Sequence, residues 1–309
     1  MPCYHPLQAS FSLRDDGKKK ITFSTPAAKL FKGGSKLPGD FLSLPCGKCV
    51  GCRLERSRQW AVRIMHEASL YEDNCFVTLT FDDENLAKHC KLTPRGYSLD
   101  RKHPQNFMKR LRQEFSNKKI RSYYCGEYGD LSGRPHYHVC LFNHDWSDKK
   151  LYKSKDSYVY YNSDCLNKLW PFGHAVTTDL TFDSAAYVAR YCMQKVVGAI
   201  ADDHYGGRVP EFGQASLKPG IAKGWLEQFG YSDCFDHDCV VTNGVKNKPP
   251  RYYDKFLESV NSSVFALNKE RREALAQLKA FNSTSDRLAV REVCKEAQIS
   301  SLKRGLDAG

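Results

Sequence analysis

The sequence has no stretch of about 18 consecutive apolar residues, so nothing in it reads as a bilayer-spanning helix. Its first residues, Met1-Pro2-Cys3-Tyr4-His5, lack the basic-then-apolar layout of a secretory signal. No Gly-x4-Gly-Lys-Ser/Thr sequence occurs, so the chain carries no P-loop helicase module of its own. Acidic residues are in short supply: 35 Asp plus Glu face 47 Lys plus Arg, a formal net charge of +12. That imbalance favours a polyanionic partner, although composition alone does not separate DNA from RNA or from an acidic membrane surface. Cysteine, by contrast, is plentiful at 13 residues, an odd number. Cys75, Cys125, Cys140 and Cys192 lie inside apolar runs, where a thiol behaves as a small hydrophobe. A disulfide framework is therefore not expected, and a reducing cytoplasm is the expected compartment. At 309 residues the chain has room for one large or two small domains.

Residues 1–52 read as a basic arm punctuated by Gly and Pro, with one strand at Lys20–Phe23 and a cysteine cluster at its end. Cys46-x2-Cys49-x2-Cys52 offers three thiolates at zinc-knuckle spacing. Cys3 is the leading candidate for a fourth ligand, with His5 second, and such a Zn2+ site would staple the arm to the rest of the chain. The fourth cysteine and following proline of a bacterial iron–sulfur run are missing. From residue 53 to 71 the pattern is an amphipathic helix, with Leu54, Ala61, Ile64, Met65, Ala68 and Leu70 on its apolar side. Its Arg53, Arg56, Arg58 and Arg63 are candidate contacts to nucleic-acid phosphates.

The chain is organised around Arg134-Pro135-His136-Tyr137-His138-Val139-Cys140-Leu141-Phe142, a strand preceded by the turn-forming run 128–133. Residues two apart in a strand share a face, so His136 and His138 project side by side. The preceding run, Ile120–Glu127, reads as a strand that pairs back antiparallel and returns Glu127 to His136. Two imidazoles and a carboxylate suit Mn2+ or Mg2+ with coordination positions left open for a phosphate oxygen. The acidic turn Asp82-Asp83-Glu84, after the strand Cys75–Phe81, holds further carboxylates that could sit near such a metal.

Downstream, Asp183 or Ser184 caps a helix that continues to Lys195. Tyr187, Tyr191 and Lys195 are four apart and share one helical face, with Ala186, Ala189, Met193 and Val196 as the opposite, packing stripe. A second amphipathic helix, Pro104–Lys118, would bury Phe107, Met108, Leu111 and Phe115. Between residues 143 and 165, Lys149, Lys150, Lys153 and Lys155 alternate with Tyr152, Tyr158, Tyr160 and Tyr161. Cations among aromatics suit single-stranded nucleic acid, and equally suit a solvated tyrosine-rich hairpin. Residues 201–255 form a loop-rich extension with a hairpin turn at Asn243-Gly244, and Cys234, His237 and Cys239 there lack a clear partner pair. Residues 256–309 form a charged helical tail.

The Cys75–Phe81 strand, the Pro135-His136-Tyr137-His138 strand and the Tyr187-x3-Tyr191 helix, in that order, resemble the three motifs of the HUH endonucleases that initiate rolling-circle replication. The wider chain is similar to the initiators of the gokushovirus branch of the Microviridae, single-stranded DNA phages. The features are the Met1-Pro2-Cys3 start, the Pro45-Cys46-Gly47-Lys48-Cys49-x2-Cys52-Arg53 cluster and the Lys248-Pro249-Pro250-Arg251-Tyr252-Tyr253 segment. The chain departs from many such proteins at Gln194, where they carry lysine; here Lys195 follows one place later.

The resemblance implies an α+β fold with an antiparallel, ferredoxin-like sheet, helices packed on it and the histidines on a central strand, residues 53–200 forming that endonuclease core. It further implies a metal at His136, His138 and Glu127 and tyrosine attack on origin DNA. A 5′-phosphotyrosyl enzyme and a free 3′-hydroxyl would follow, with Tyr187 and Tyr191 alternating and Lys195 assisting. Host helicase and polymerase, in the bacterial cytoplasm, are the implied partners. Two rivals remain: a transposase or relaxase with the same chemistry, and a non-enzymatic zinc-containing DNA-binding protein with both tyrosines buried far from the histidines.

Overall fold

A computed structural model describes residues 3–13, 19–23, 41–129, 132–155, 158–191, 196, 200–242 and 244–301. Two compact units emerge, one from residues 1–55 with 275–302 and one centred on residues 56–274.

The first unit opens with strands β1 (Leu7–Leu13), β2 (Lys19–Thr22) and β3 (Phe41–Leu44), an antiparallel sheet in the order β2-β1-β3. The cysteine cluster follows, and Cys52 lies in the first turn of helix α1 (Val50–Ala68), which crosses into the second unit. The second unit continues through β4 (Asn74–Thr80), α2 (Asp83–His89), the short hairpin β5 (Leu92–Thr93) and β6 (Gly96–Tyr97), and α3 (Lys102–Glu114). Strands β7 (Arg121–Tyr128), β8 (Pro135–Phe142), β9 (Lys150–Lys155) and β10 (Tyr158–Asn162) come next. Then come α4 (Asp164–Leu169), β11 (Ala175–Asp179), α5 (Phe182–Tyr191), α6 (Ala201–Tyr205) and β12 (Phe212–Ala215). Helix α7 (Lys223–Gly230), the hairpin β13 (Val240–Thr242) and β14 (Val245–Asn247), α8 (Arg251–Val260) and α9 (Ser262–Leu278) complete it. Helix α10 (Ser285–Ser300) returns to the first unit.

The second unit is a mixed α+β body around a seven-stranded sheet, ordered β12-β7-β8-β4-β11-β10-β9, in which all neighbours pair antiparallel. Its central strands are buried on both faces, so they lack the regular apolar–polar alternation of a half-exposed strand. On one face, Val77, Leu79, Tyr137, Val139 and Leu141 pack with Phe107, Met108 and Leu111 of α3 and with Leu166 and Leu169 of α4. On the other, Phe76, Cys125, Cys140 and Phe142 pack with Ala61 and Ile64 of α1 and with Ala185, Tyr187 and Val188 of α5. Period-2 geometry puts Thr78, Glu127, His136 and His138 on this second face, under α1 and α5. Gly126, beside Glu127, has no side chain because a Cβ there would sit 2.9 Å from the Phe212 ring.

Several buried polar groups inside this unit pair across elements. Glu67 of α1 binds Arg121 of β7 and accepts the Ala222 backbone N–H at 2.6 Å. Helix α8 buries Tyr253 and Leu257, while Asn268 of α9 donates to the Phe235 carbonyl at 2.8 Å. Arg272 of α9 spans Asp238 and Asp254, reaching Asp254 at 2.8 and 2.9 Å. The described part of the charged stretch after residue 256 is carried by α8, α9 and α10, and its first half is fastened to the domain. The two-residue turn predicted at Asn243-Gly244 matches the Thr242↔Val245 pairing of β13 and β14, with residue 243 outside the described residues. No helix among the described residues is long and apolar enough to cross a membrane.

In the first unit the described buried apolar side chains are few: Tyr4, Ala9, Cys49 and Leu288. Burying a Leu-sized side chain contributes about 1.5–3 kcal/mol, whereas ordering each residue's backbone costs about 1–2 kcal/mol. A core of that size does not hold the unit together unaided.

Candidate active site

Strands β7 and β8 pair with Glu127 directly opposite His136, and β8 pairs with β4 so that Thr78 lies opposite His138. That register focuses three donor groups on one point. His136 Nε2 lies 2.6 Å and His138 Nε2 2.7 Å from the same carboxylate oxygen, Oε1 of Glu127. Glu127 is 1% exposed, and its Oε2 is buried without a hydrogen-bond partner. Burial pushes the Glu127 carboxyl up, but the His138 and His136 imidazoles outweigh it and hold the pKa below its ordinary value.

The far ring nitrogens fix the orientation of both imidazoles. His136 Nδ1 lies 3.2 Å from the Arg134 carbonyl, which only accepts, so Nδ1 carries the proton. His138 Nδ1 lies 3.0 Å from the Thr78 hydroxyl, and its ring stacks on Phe76 at 5.3 Å. With Nδ1 of His136 protonated, its Nε2 lone pair and a carboxylate oxygen face each other at 2.6 Å. Such a contact requires positive charge between them, as an extra proton or as a cation. The three ligand atoms lie within 4.8 Å of one another, and the orphaned Oε2 leaves a further donor atom, so this set fits a divalent metal. The carboxylates at the end of β4 are otherwise engaged: Asp82 caps α2 through the Asn85 N–H at 2.7 Å, and Asp83 pairs with Arg134 at 2.5 Å. Thr78 was not singled out in the sequence, although its odd-even position on β4, facing a histidine strand, was the available signal.

Helix α5 begins with a reciprocal clasp in which the Ser184 N–H donates to Thr181 Oγ1 at 3.2 Å and the Thr181 N–H to Ser184 Oγ at 2.8 Å. The expected cap thus belongs to the Thr181–Ser184 pair. The expected packing stripe is also rotated: Ala185, Val188 and Ala189 are buried and Ala186 is half-buried. Tyr187 lies on the packed side, 5% exposed, with its ring edge-on to His138 at a centroid distance of 5.3 Å. Tyr191 is the last described residue of the helix, but its side chain, and Met193, Gln194 and Lys195 entirely, lie outside the described residues.

The cysteine cluster assembles as a second donor set. The Sγ atoms of Cys3, Cys46, Cys49 and Cys52 all lie within 4.8 Å of one another, and the four are free thiols. Sulfur separations are 4.0 Å for Cys46–Cys52 and 3.9 Å for Cys3–Cys49. Those are close to the roughly 3.8 Å edge of a tetrahedron with ~2.3 Å metal–sulfur bonds. Backbone N–H groups of Lys48 and Cys49 point at Cys46 Sγ at 3.4 and 3.3 Å, that of Cys46 at Cys3 Sγ at 3.2 Å, and that of Tyr4 at Cys49 Sγ at 3.3 Å. Although burial opposes ionisation of Cys46, the N–H donors of Cys49 and Lys48 bring its pKa down to about 7. His5 turns instead to Glu292, 2.7 Å away. Cys234, His237 and Cys239 join no metal-competent group among the described residues.

The basic candidates divide by surroundings. Arg53 and Arg56 are exposed and Arg58 is half-buried. Arg63 turns inward, its guanidinium 4.2 Å from the Trp60 ring and 4.0 Å from that of Tyr252, donating to the Ile221 carbonyl at 3.1 and 3.3 Å. Lys149 pairs with Asp145 at 2.6 Å and Lys150 with Asp164 at 2.8 Å, while Lys153 lies over the Tyr160 ring at 5.2 Å.

The model of the replication-associated protein ORF2/G2P family matches residues 74–196, a span that begins with β4 and includes α5. The replication-associated protein VP4 of Bdellovibrio phage phiMH2K is 35% identical over 262 residues, covering 82% of this chain and 76% of that one. The replication-associated protein ORF2 of Spiroplasma virus 4 is 34% identical over 250 residues, covering 77% and 76%. The replication-associated protein ORF4 of Chlamydia phage 1 is 32% identical over 245 residues, covering 75% of this chain and 58% of that one. No solved structure matches. On these similarities the chain belongs to the replication-associated protein ORF2/G2P family.

Proposed function

We propose that the protein starts phage DNA replication by nicking a single strand at the origin through tyrosine attack, and later rejoins it. One observation carries this reading: the Tyr187 ring stands 5.3 Å from that of His138, a member of the group formed with Glu127 and His136. The phenolic oxygen attacks the scissile phosphorus, the bond to the 3′ oxygen breaks, and that oxygen leaves as a 3′-hydroxyl. The 5′ phosphate stays on the tyrosine, which conserves the phosphodiester for rejoining. A divalent cation, Mn2+ or Mg2+, held by His136, His138 and Glu127 would supply Lewis-acid polarisation of the phosphate.

The chain's own residues position and relay. Thr78 and the Arg134 carbonyl orient the two imidazoles. A free tyrosine has a pKa of about 10, so the phenol needs assistance in losing its proton, for which Lys195 is our candidate. Tyr191 is proposed as the alternate nucleophile, allowing one round to close as the next begins. Arg53, Arg56, Arg58 and the tyrosine-flanked Lys149, Lys150 and Lys153 are proposed to follow the DNA backbone. The free 3′-hydroxyl is a primer, so host helicase and polymerase are the proposed partners, in the cytoplasm of the host bacterium. We assign Zn2+ to the four-cysteine cluster.

The burial of Tyr187 favours one competing reading, a DNA-binding protein without nicking activity. Incubating the protein with circular single-stranded phage DNA and Mn2+, then resolving protein–DNA adducts on a denaturing gel, separates the two. Nicking predicts an adduct that is lost in the Tyr187→Phe/Tyr191→Phe double variant and in His136→Ala. Tight, metal-independent binding with no adduct would leave the non-enzymatic protein.

A further inference from the structure

We infer that the four-cysteine cluster and helix α10 form one zinc-dependent module, in which metal retention and docking of the C-terminal helix are reciprocally coupled. This rests on the assignment of Zn2+ to the cluster and adds to it a partner within the chain.

The module joins distant parts of the sequence. Cys3 lies near the N-terminus, Cys46, Cys49 and Cys52 follow the arm, and α10 spans Ser285–Ser300. Leu288 of α10 is buried in one apolar cluster with Tyr4 and Cys49, against which Cys3, Cys46, Val50 and Cys52 also pack. The helix thus packs on the side chains that would carry the metal. A second tie is polar, between His5 and Glu292 at 2.7 Å. The helix is built to present this face: Thr284 caps it, its hydroxyl taking the Arg287 N–H at 3.4 Å, and Arg291 reaches back to the Asn282 carbonyl at 2.9 Å.

Most of the remaining face of α10 is unsupported. Val290 and Val293 are exposed, and Leu288 is the buried residue of the helix. An isolated helix of this length is marginal in water. Its order therefore depends on the Tyr4–Cys49–Leu288 contact, and that contact depends on four sulfurs being held together. Without a metal, no bond links these four sulfurs, and a cation that binds all four as thiolates turns them into a cross-link. Whatever stabilises the cross-link stabilises the seat of Leu288. By linkage, a helix seated there must in turn strengthen metal binding by the same factor.

The test uses the full-length protein and Zn2+ as the probe, read in two ways. Zinc content is determined by elemental mass spectrometry, and amide hydrogen exchange is followed across residues 285–300 before and after treatment with a strong zinc chelator. We expect bound zinc, exchange across 285–300 at least about ten-fold faster after its removal, and recovery when Zn2+ is restored, while β7 and β8 stay protected. The reciprocal arm uses Leu288→Asp, which leaves every cysteine in place. Its zinc should be taken by a competing chromophoric chelator at a concentration about ten-fold lower than for the unaltered protein. Bound zinc whose removal leaves 285–300 unchanged, or Leu288→Asp with unaltered zinc affinity, overturns the coupling while leaving the zinc site standing. Absence of zinc from protein that takes up none on titration overturns the site itself.

Discussion

Tyr187 meets His138 edge to face, the two ring planes 86° apart with centroids separated by 5.3 Å. Tyr187 reaches a strand histidine because α5 lies on the face of the sheet that Thr78, Glu127, His136 and His138 share. The ring and the hydroxyl then have separable roles. Tyr187→Phe keeps the ring contact and should shift unfolding stability by about 1 kcal/mol or less. Tyr187→Ala opens a cavity and should cost about 3 kcal/mol. The double variant Tyr187→Phe/Tyr191→Phe should retain Mn2+ binding in calorimetry while forming no covalent adduct, a split that loss of folding would not produce.

Thr78 is the residue to alter when asking whether the imidazoles are held for a metal. Its hydroxyl lies 3.0 Å from His138 Nδ1, and valine has nearly its shape without the oxygen. Partners of this kind fix ring orientation and basicity, and their loss typically lowers metal affinity by about 10–100-fold. Titrating Thr78→Val with Mn2+ should show that loss with the thermal unfolding midpoint little changed. Unaltered affinity would remove Thr78 from the site.

Two histidines away from the site, His144 buried and His66 half-buried, are expected to contribute to the acid response. Burial lowers the pKa of His66 and of His144 from 6.5 to about 4. The unfolded chain takes up a proton at each as pH falls below 6.5, while the folded chain does not until about pH 4. Their contribution is therefore complete above pH 6.5 and is lost progressively between 6.5 and 4. Each shift corresponds to a loss on the order of 3 kcal/mol across that window. His144 is 1% exposed with both ring nitrogens lacking hydrogen-bond partners, between Phe115 and Trp146. His144→Leu should flatten the fall of the melting temperature between pH 7 and 5, as followed by circular dichroism. An unchanged slope would assign the acid response to other groups.

Much of the core and the metal-competent triad was legible from the sequence because a strand's period of two is rigid. Once Pro135–Phe142 reads as a strand, the shared face of His136 and His138 follows, and the short 128–133 connection leaves Glu127 little choice but to return opposite His136. The cysteine cluster was legible for a different reason, the local Cys-x2-Cys spacing that brings three of its four sulfurs together. Helical faces were harder to read. The sequence offered two stripes on α5, and the stripe that packs is decided by the sheet beneath, where Phe76, Cys125 and Cys140 receive Ala185, Tyr187 and Val188. The docking of Leu288 beside Tyr4 and Cys49 joins residues far apart in the chain and leaves no periodic trace in either segment.

Arg63 illustrates how charge alone misleads, and it can be tested against its neighbours on the same helix. In a basic chain, four arginines on one helix read as a phosphate-binding face. Arg63 nevertheless lies between Trp60 and Tyr252 and uses its donors on the Ile221 carbonyl. Burial lowers its pKa, so its planar fork and its stacked face do the work that a solvated charge would not. Lysine preserves the charge but loses both the fork and the stacking. Arg63→Lys should therefore lower stability to urea by about 1–3 kcal/mol and leave the salt dependence of single-stranded DNA binding, measured by fluorescence anisotropy, as it was. Arg56→Ala, at an exposed position, should do the reverse, keeping stability within about 0.5 kcal/mol. It should also reduce the slope of log K against log salt by about 0.7, the share of one phosphate contact on a single strand. A reduced salt slope in Arg63→Lys at unchanged stability would return Arg63 to the DNA-binding face.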